Sequence, residues 1–66
     1  DLNPDGVRVV ISWDEMVVGA SIFVPCINTK EATEELKRIS DSKQWESRIL
    51  VRVEGGKLGV RMWRML

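Results

Sequence analysis

The C-terminal stretch of this chain reads Arg48-Ile-Leu-Val-Arg-Val-Glu-Gly-Gly-Lys-Leu-Gly-Val-Arg-Met-Trp-Arg-Met-Leu66, and it decides the fold. Two runs rich in aliphatic and β-branched residues flank the pair Gly55-Gly56. Glycine reaches the positive φ of a two-residue hairpin turn without steric cost. We therefore predict a β-hairpin in which Glu54 pairs with Lys57 and Arg48 pairs with Trp63.

This register separates the side chains of the hairpin into two faces, because successive residues of a strand point to opposite sides. One face is aliphatic, and we predict that it forms the core side: Ile49, Val51, Val53, Leu58, Val60 and Met62. The other face collects cationic and aromatic side chains, and we predict that it is a binding face: Arg48, Arg52, Arg61 and Trp63. A shift of one residue would mix the two sets, so the pattern favours this register.

The region before the hairpin predicts two further strands and a helix. Residues 7–13 alternate between apolar and other side chains, which is typical of a strand, and residues 20–26 form a second predicted strand. A helix is predicted to begin after Asn28, because Asn28 can act as its N-cap and Glu31 follows three residues later. We expect this helix to end near Ser42, with Trp45 packing at the turn into the hairpin.

Apolar spacing predicts which side of the helix faces the sheet. The helical stripe consists of Ala32, Leu36 and Ile39. Three residues outside the helix are also expected to pack inward: Met16, Val18 and, as a hydrophobic staple, Ile27. The sequence thus predicts one small α+β domain over residues 1–66, with a small antiparallel sheet of three to four strands. One helix is expected to pack on one face of this sheet, in the order β-β-α-β-β.

Composition excludes several classes of stabilising and catalytic site. The chain of 66 residues has one cysteine and no histidine, so an internal disulfide or a structural zinc site is not expected. A serine or cysteine nucleophile would lack its usual histidine base, so we predict no catalytic residues, no cofactor and no enzymatic activity. Cys26 is interpreted as a small buried hydrophobic residue.

The first six residues match the start of a calcium-binding loop, Asp-x-Asn-x-Asp-Gly. The twelfth position of such a loop carries a bidentate glutamate, but here it is Ser12, and a strand rather than a helix is predicted to follow. We therefore interpret residues 1–6 as a polar turn, and no metal site is predicted.

The charges of the chain balance overall but are unevenly distributed. Residues 1–42 contain eight acidic and four basic side chains, whereas residues 43–66 contain two acidic and six basic ones, which gives balances of −4 and +4. A net charge of zero argues against strong nonspecific nucleic-acid binding, although a local basic face can still hold phosphate. No apolar run approaches the roughly 18 residues of a membrane span, so no membrane partner is expected.

Two motifs resemble those of a known protein family: Met16-Val-Val-Gly-Ala-Ser-Ile-Phe-Val-Pro25 and Gly59-Val-Arg-Met-Trp-Arg64. They are similar to the Met-x-Val-Gly-x-Ser-Phe-Phe-Val-Pro and Gly-Val-Arg-Val-Trp-Arg segments of short uncharacterised tailed-bacteriophage proteins. The resemblance covers roughly residues 16–64, and this chain departs from the family in its alternating residues 7–13 and its longer hairpin. It implies a phage or prophage origin and a compact α+β domain, with host cytoplasm or the virion as the location, and it implies no activity.

Two functional hypotheses use the same face of the hairpin. Tryptophan and arginine are enriched at the energetic centres of protein interfaces, so the first is a protein-interaction or self-assembling module. Its partner would be a host protein, a phage protein or a second copy of the chain. The second hypothesis is nucleic-acid binding, in which arginines contact phosphates or guanine edges and Trp63 stacks on a base. Neither involves a small-molecule substrate.

Overall fold

The computed structural model describes all 66 residues, and its sheet is built around the predicted hairpin. Three antiparallel strands, β1 (Ser21–Pro25), β2 (Ser47–Glu54) and β3 (Lys57–Arg64), lie in the order β1-β3-β2. One helix, α1 (Thr29–Ser42), connects β1 to β2 and packs on one face of the sheet. The α+β class is therefore confirmed.

The predicted hairpin register is confirmed at every position. Glu54 pairs with Lys57, Arg48 pairs with Trp63, and one further pair joins Ser47 to Arg64. The turn residues Gly55 and Gly56 have φ values of 57° and 76°. These are the left-handed angles that a two-residue turn requires, and glycine adopts them without a steric penalty.

The predicted fourth strand and the order β-β-α-β-β are not confirmed. Residues 7–13 contribute one isolated bridge, between Leu2 and Val9, and then enter a 3-10 helix over Trp13–Glu15. Alternation alone predicted a strand here, but the segment finds no neighbouring strand with which to form a ladder. The segment is otherwise irregular up to this 3-10 helix, and Leu2 and Pro4, which precede it in the chain, are buried.

Both ends of α1 carry capping structures. The Asn28 side chain accepts a hydrogen bond from the Glu31 N–H at 3.2 Å, as predicted. At the other end the N–H of Trp45 donates to the carbonyl of Ser40 at 3.0 Å, and that of Gln44 donates to the carbonyl of Asp41 at 3.0 Å. With Gln44 at φ 60°, these bonds form a Schellman motif, which turns the chain toward β2.

The core lies between α1 and the sheet. Its buried apolar members are Leu2, Met16, Val24, Cys26, Ala32, Leu36, Val60 and Met62. The predicted helical stripe and the inward position of Met16 are confirmed, and Trp45 packs against this cluster. Two expectations were wrong, because Val18 is 58% exposed and Ile27 is 85% exposed.

The aliphatic face of the hairpin is only partly covered. Val60 and Met62 are fully buried and Ile49 packs against the core. Toward the turn the prediction of burial was wrong, since Val51 is 54% and Val53 67% exposed, and Leu58 is also exposed. The only helix that exceeds a single turn is too short and too polar to cross a membrane.

Candidate functional site on the open face of the sheet

The open face is the side of the sheet that α1 leaves uncovered, and it carries all four residues of the predicted binding face. Strand pairing arranges its side chains in rows across β1, β3 and β2. One row contains Ser21, Trp63 and Arg48; the next contains Phe23, Arg61 and Leu50; the third contains Pro25, Gly59 and Arg52.

Gly59 is required by the way β1 crosses the centre of the open face. A β-carbon at this position would lie 2.6 Å from the end of the Phe23 ring, 2.9 Å from the Pro25 α-carbon and still closer to the Val24 carbonyl oxygen. A missing side chain opposite Arg52 leaves room for the Arg52 guanidinium or for an approaching backbone. In the structure the backbone of β1 approaches here, together with the Phe23 ring.

Arg61 is committed to contacts within the domain. Its Nε and one terminal nitrogen donate to the two carboxylate oxygens of Glu54 at 2.7 and 2.8 Å, and its other terminal nitrogen donates to Ser21 Oγ at 2.8 Å. The guanidinium also lies 5.5 Å from the centre of the Phe23 ring. The hydrogen bond from Arg61 lowers the pKa of the Glu54 carboxyl, and the same bond raises the pKa of Arg61. Its charge is therefore largely compensated.

Three of the four predicted residues come together in a groove beside this ion pair. The groove has a volume of about 350 Å³ and is lined by Arg48, Leu50, Arg52, Trp63 and Met65. Arg61 does not line it. Sequence reasoning did not single out Leu50 or Met65 as site residues, although the register places Leu50 on this face.

The cation over the Trp63 ring is Arg52 rather than its direct cross-strand neighbour Arg48. The Arg52 guanidinium carbon lies 5.7 Å from the ring centre, and its Nε lies 3.4 Å from a Glu54 carboxylate oxygen. None of the ion pairs in the structure involves Arg48. The groove therefore has one cation shared with Glu54, one cation without an acidic partner, and an aromatic and aliphatic floor.

Glu54 is the residue of this face whose role sequence reasoning missed. It lies on the same face as Arg52 and Arg61, and the row that separates it from Arg61 contains Gly59. The Arg61 guanidinium lies beside the Phe23 ring and binds the Glu54 carboxylate across this row. The sequence did contain a signal for this ion pair. Glu54 lies on the face that carries the arginines, and in the predicted register it is two rows from Arg61 with Gly59 between them.

The N-terminal residues hold the start of α1. The carboxylate of Asp5 accepts hydrogen bonds from the N–H groups of Ile27 and Asn28 at 2.9 and 2.7 Å, and these bonds lower its pKa. Burial raises the pKa of the neighbouring Cys26 thiol, and the negative charges of Asp5 and Glu35 raise it further. Cys26 therefore stays protonated near neutral pH, and Asp5 serves the helix start.

A second, smaller depression lies between the end of α1 and the beginning of β2. It has a volume of about 180 Å³ and is lined by Lys37, Ser40, Asp41, Trp45, Ser47 and Ile49. The Ser40 hydroxyl is hydrogen-bonded to that of Ser47 and donates to the Trp45 carbonyl. Because these bonds join the helix end to β2, we assign the depression to the structure of the turn.

The lowered carboxyl pKa values of Asp5 and Glu54 predict a loss of stability in acid. Their folded-state pKa values lie below the unfolded-state values of about 3.9 for Asp and 4.3 for Glu, so their contribution is complete above that range. It is lost as the pH falls through the folded-state values. Urea unfolding from pH 7 to pH 2.5 should show this fall.

The double variant Asp5→Asn, Glu54→Gln tests the source of this pH dependence. We expect it to be less stable than the wild type at pH 7 and to lose less stability on acidification. Equal slopes of unfolding free energy against pH for the two proteins would contradict the assignment to these carboxyl groups.

The chain was compared with known proteins at the level of families, sequences and structures. No protein-family model matches it, and no curated protein and no solved structure matches it either.

Proposed function

We propose that this protein is a non-enzymatic binding module that recognises a protein partner through the groove on the open face. The observation that carries the proposal is the grouping of Arg48, Arg52 and Trp63 around the exposed side chains of Leu50 and Met65. Two exposed arginines and a half-buried tryptophan lie beside aliphatic surface. Arginine and tryptophan are enriched at the energetic centres of protein interfaces.

The groove indicates the chemistry of the partner. Its floor offers apolar area to one large aliphatic or aromatic side chain. Arg48 has no acidic partner within the domain, so a carboxylate from the partner would compensate its charge. The expected ligand is therefore a protein segment with an acidic side chain next to a large apolar one.

Nucleic-acid binding is the alternative, and the observation that favours it is the half-buried Trp63 ring beside Arg48 in the groove. The charges weigh against it. Arg61 is paired with Glu54 and Arg52 lies 3.4 Å from the same carboxylate, so few cations remain for phosphates. The affinity of nucleic-acid binding increases with each phosphate that a cation neutralises, because counterions are released. A face with few free cations is therefore expected to bind nucleic acid weakly.

The phage or prophage origin implied by the two motifs belongs to the same proposal. A small module from such a genome would meet its protein partner in the host cytoplasm or in the virion. The resemblance of residues 16–25 and 59–64 is its support.

The groove can be tested by NMR titration of the isotope-labelled protein with two probes. The first is the capped peptide Glu-Trp-Glu-Leu, and the second is a short single-stranded oligothymidylate. We expect the peptide to shift the resonances of the groove residues. Arg52→Glu and Trp63→Ala should weaken its binding about tenfold, which corresponds to roughly 1.4 kcal/mol.

Lys57→Glu is the matched control, because it makes the same charge change on the open face at the turn, outside the groove. It should leave peptide binding unchanged. Oligonucleotide binding that weakens with salt, without any response to the peptide, would replace the protein-binding proposal by the nucleic-acid alternative. Peptide shifts confined to another surface would reject the groove.

A further inference from the structure

The outer edge of β2 is exposed and lacks several of the usual protections. The strand runs over eight residues, Ser47–Glu54, and pairs with β3 on one side only. Its pairing with β3 is continuous, so no bulge twists the edge away. Natural edge strands are commonly blunted by charged side chains, above all lysine, by proline, by bulges or by shortness, because unpaired edge groups are a template for another strand. β2 contains neither lysine nor proline, and its charged side chains, Arg48, Arg52 and Glu54, all lie on the open face.

The alternation of the ladder shows which backbone groups of β2 are free. A two-residue turn is flanked by a hydrogen-bonded pair, here Glu54 and Lys57, and hydrogen-bonded pairs then alternate along an antiparallel ladder. At the far end the N–H of Met65 donates to the carbonyl of Glu46 at 2.7 Å, which agrees with this alternation. The N–H and C=O groups that point outward therefore belong to Ser47, Ile49, Val51 and Val53.

The residues with outward-pointing backbone groups also carry exposed apolar side chains. Val51 and Val53 extend beyond the part of the sheet that α1 covers and are 54% and 67% exposed. Leu58, the cross-strand neighbour of Val53, is also exposed. A strand that pairs with this edge would satisfy the free backbone groups and bury the valines in one step.

We propose that the edge of β2 pairs antiparallel with the same edge of a second copy of this chain, across a two-fold axis at Val51. In this register Val51 lies opposite itself, and Ile49 lies opposite Val53 of the other copy. Arg48, which has no acidic partner within its own domain, lies opposite Glu54 of the other copy, whose carboxylate also binds Arg61 of its own domain. This pair occurs twice, and opposite charges at facing positions stabilise a sheet.

Charge excludes the two neighbouring registers. An axis at Leu50 would place Arg48 opposite Arg52 of the other copy, and an axis at Arg52 would place that arginine opposite itself. Like charges directly across a strand pair are destabilising. The axis at Val51 is the register that joins seven of the eight residues of β2 without such a pair.

The resulting dimer is a continuous six-stranded sheet with both helices on one side. The two grooves then lie on the other side, next to each other across the axis, whatever ligand they bind. One strand pair and a valine cluster form an interface smaller than the roughly 1,600 Å² of a standard stable complex. We therefore expect a reversible dimer with a dissociation constant on the order of 100 micromolar.

Sedimentation equilibrium of the full chain from low micromolar to millimolar concentration tests the association. The wild type should shift from monomer to dimer. Val51→Lys should remain monomeric and folded, because it places two cations opposite each other at the axis. Val51→Thr keeps a β-branched side chain and should still dimerise. A wild type that is monomeric throughout, or a Val51→Lys variant that dimerises like the wild type, would overturn the proposal.

The register can be tested separately by disulfide trapping. Facing residues of a hydrogen-bonded pair have α-carbons about 5.5 Å apart, which suits a disulfide, so Val51→Cys should form a covalent dimer under mild oxidation. Val53→Cys is the matched control, because it has the same face and similar exposure but would lie opposite Ile49. Equal or faster trapping by Val53→Cys would reject the axis at Val51. The wild type, whose Cys26 is buried, measures background oxidation.

Discussion

Replacing Gly59 by alanine is expected to remove a large part of the folding stability of this domain. The new β-carbon would meet the Val24 carbonyl oxygen and the Pro25 α-carbon, which are backbone atoms that cannot rotate away. Forcing atoms into a packed site costs about 1–3 kcal/mol and at times more. A 66-residue domain has a total stability of only about 3–10 kcal/mol. We expect a loss of about 3 kcal/mol in urea unfolding.

Two variants separate the causes of this loss. Gly56→Ala changes a glycine with φ 76° that has no atom within 4 Å of a new β-carbon, so it should cost only the roughly 1–2 kcal/mol of a left-handed residue. Adding Phe23→Ala to Gly59→Ala removes the clash with the ring but leaves the backbone clash, so it should not restore stability. A free energy of unfolding of Gly59→Ala within about 1 kcal/mol of the wild-type value would contradict the close approach of β1 to Gly59.

Replacing Val60 by aspartate is expected to unfold the protein. Val60 has no exposed surface and lies in the core between α1 and the sheet, so a carboxylate there would be buried without a cationic partner. Such burial costs several kcal/mol, which is comparable to the whole stability of a domain of this size. Circular dichroism at neutral pH should show the loss of the fold.

Val51→Asp is the matched control, because Val51 is the direct cross-strand partner of Val60 and lies on the same face. Since Val51 is 54% exposed, the new carboxylate stays in water, and we expect a stability change below about 1 kcal/mol. The stability of this variant should be measured at low micromolar protein concentration, where the monomer predominates. Unfolding of both variants to the same extent would show that α1 covers the whole hairpin.

The aliphatic face of the hairpin is buried at one end and exposed at the other. Near Trp45 it completes the core, whereas near the turn its side chains are exposed. A helix of 14 residues spans roughly 21 Å and an eight-residue strand roughly 27 Å, so one helix leaves part of such a hairpin uncovered. The exposed valines follow from this difference in length together with the position of the helix.

The side of the sheet that carries the candidate site was predictable from the sequence, but the contacts among its side chains were not. Alternation places Arg48, Arg52, Arg61 and Trp63 on one side of the sheet, and the structure has them there. It could not show that Glu54 binds Arg61 or that Arg52, rather than Arg48, lies over Trp63. Those contacts depend on which rotamers of long side chains fit around the Phe23 ring.

The features that were predictable from the residues alone are those with local causes. Gly55-Gly56 and strict alternation determine the hairpin and its register, and Asn28 with Glu31 determines where α1 begins. Each of these depends on neighbouring residues and on turn or capping chemistry, which a pattern of letters contains.

The features that require distant segments to meet depend on how the elements pack together in three dimensions. Residues 7–13 have the alternation of a strand but no free neighbour to pair with, and Asp5 binds the start of α1 more than twenty residues away. The coverage of Val60 and the exposure of Val51 depend on where α1 lies across the sheet. Burial is a property of packing between elements, and the side-chain pattern of one strand cannot specify it.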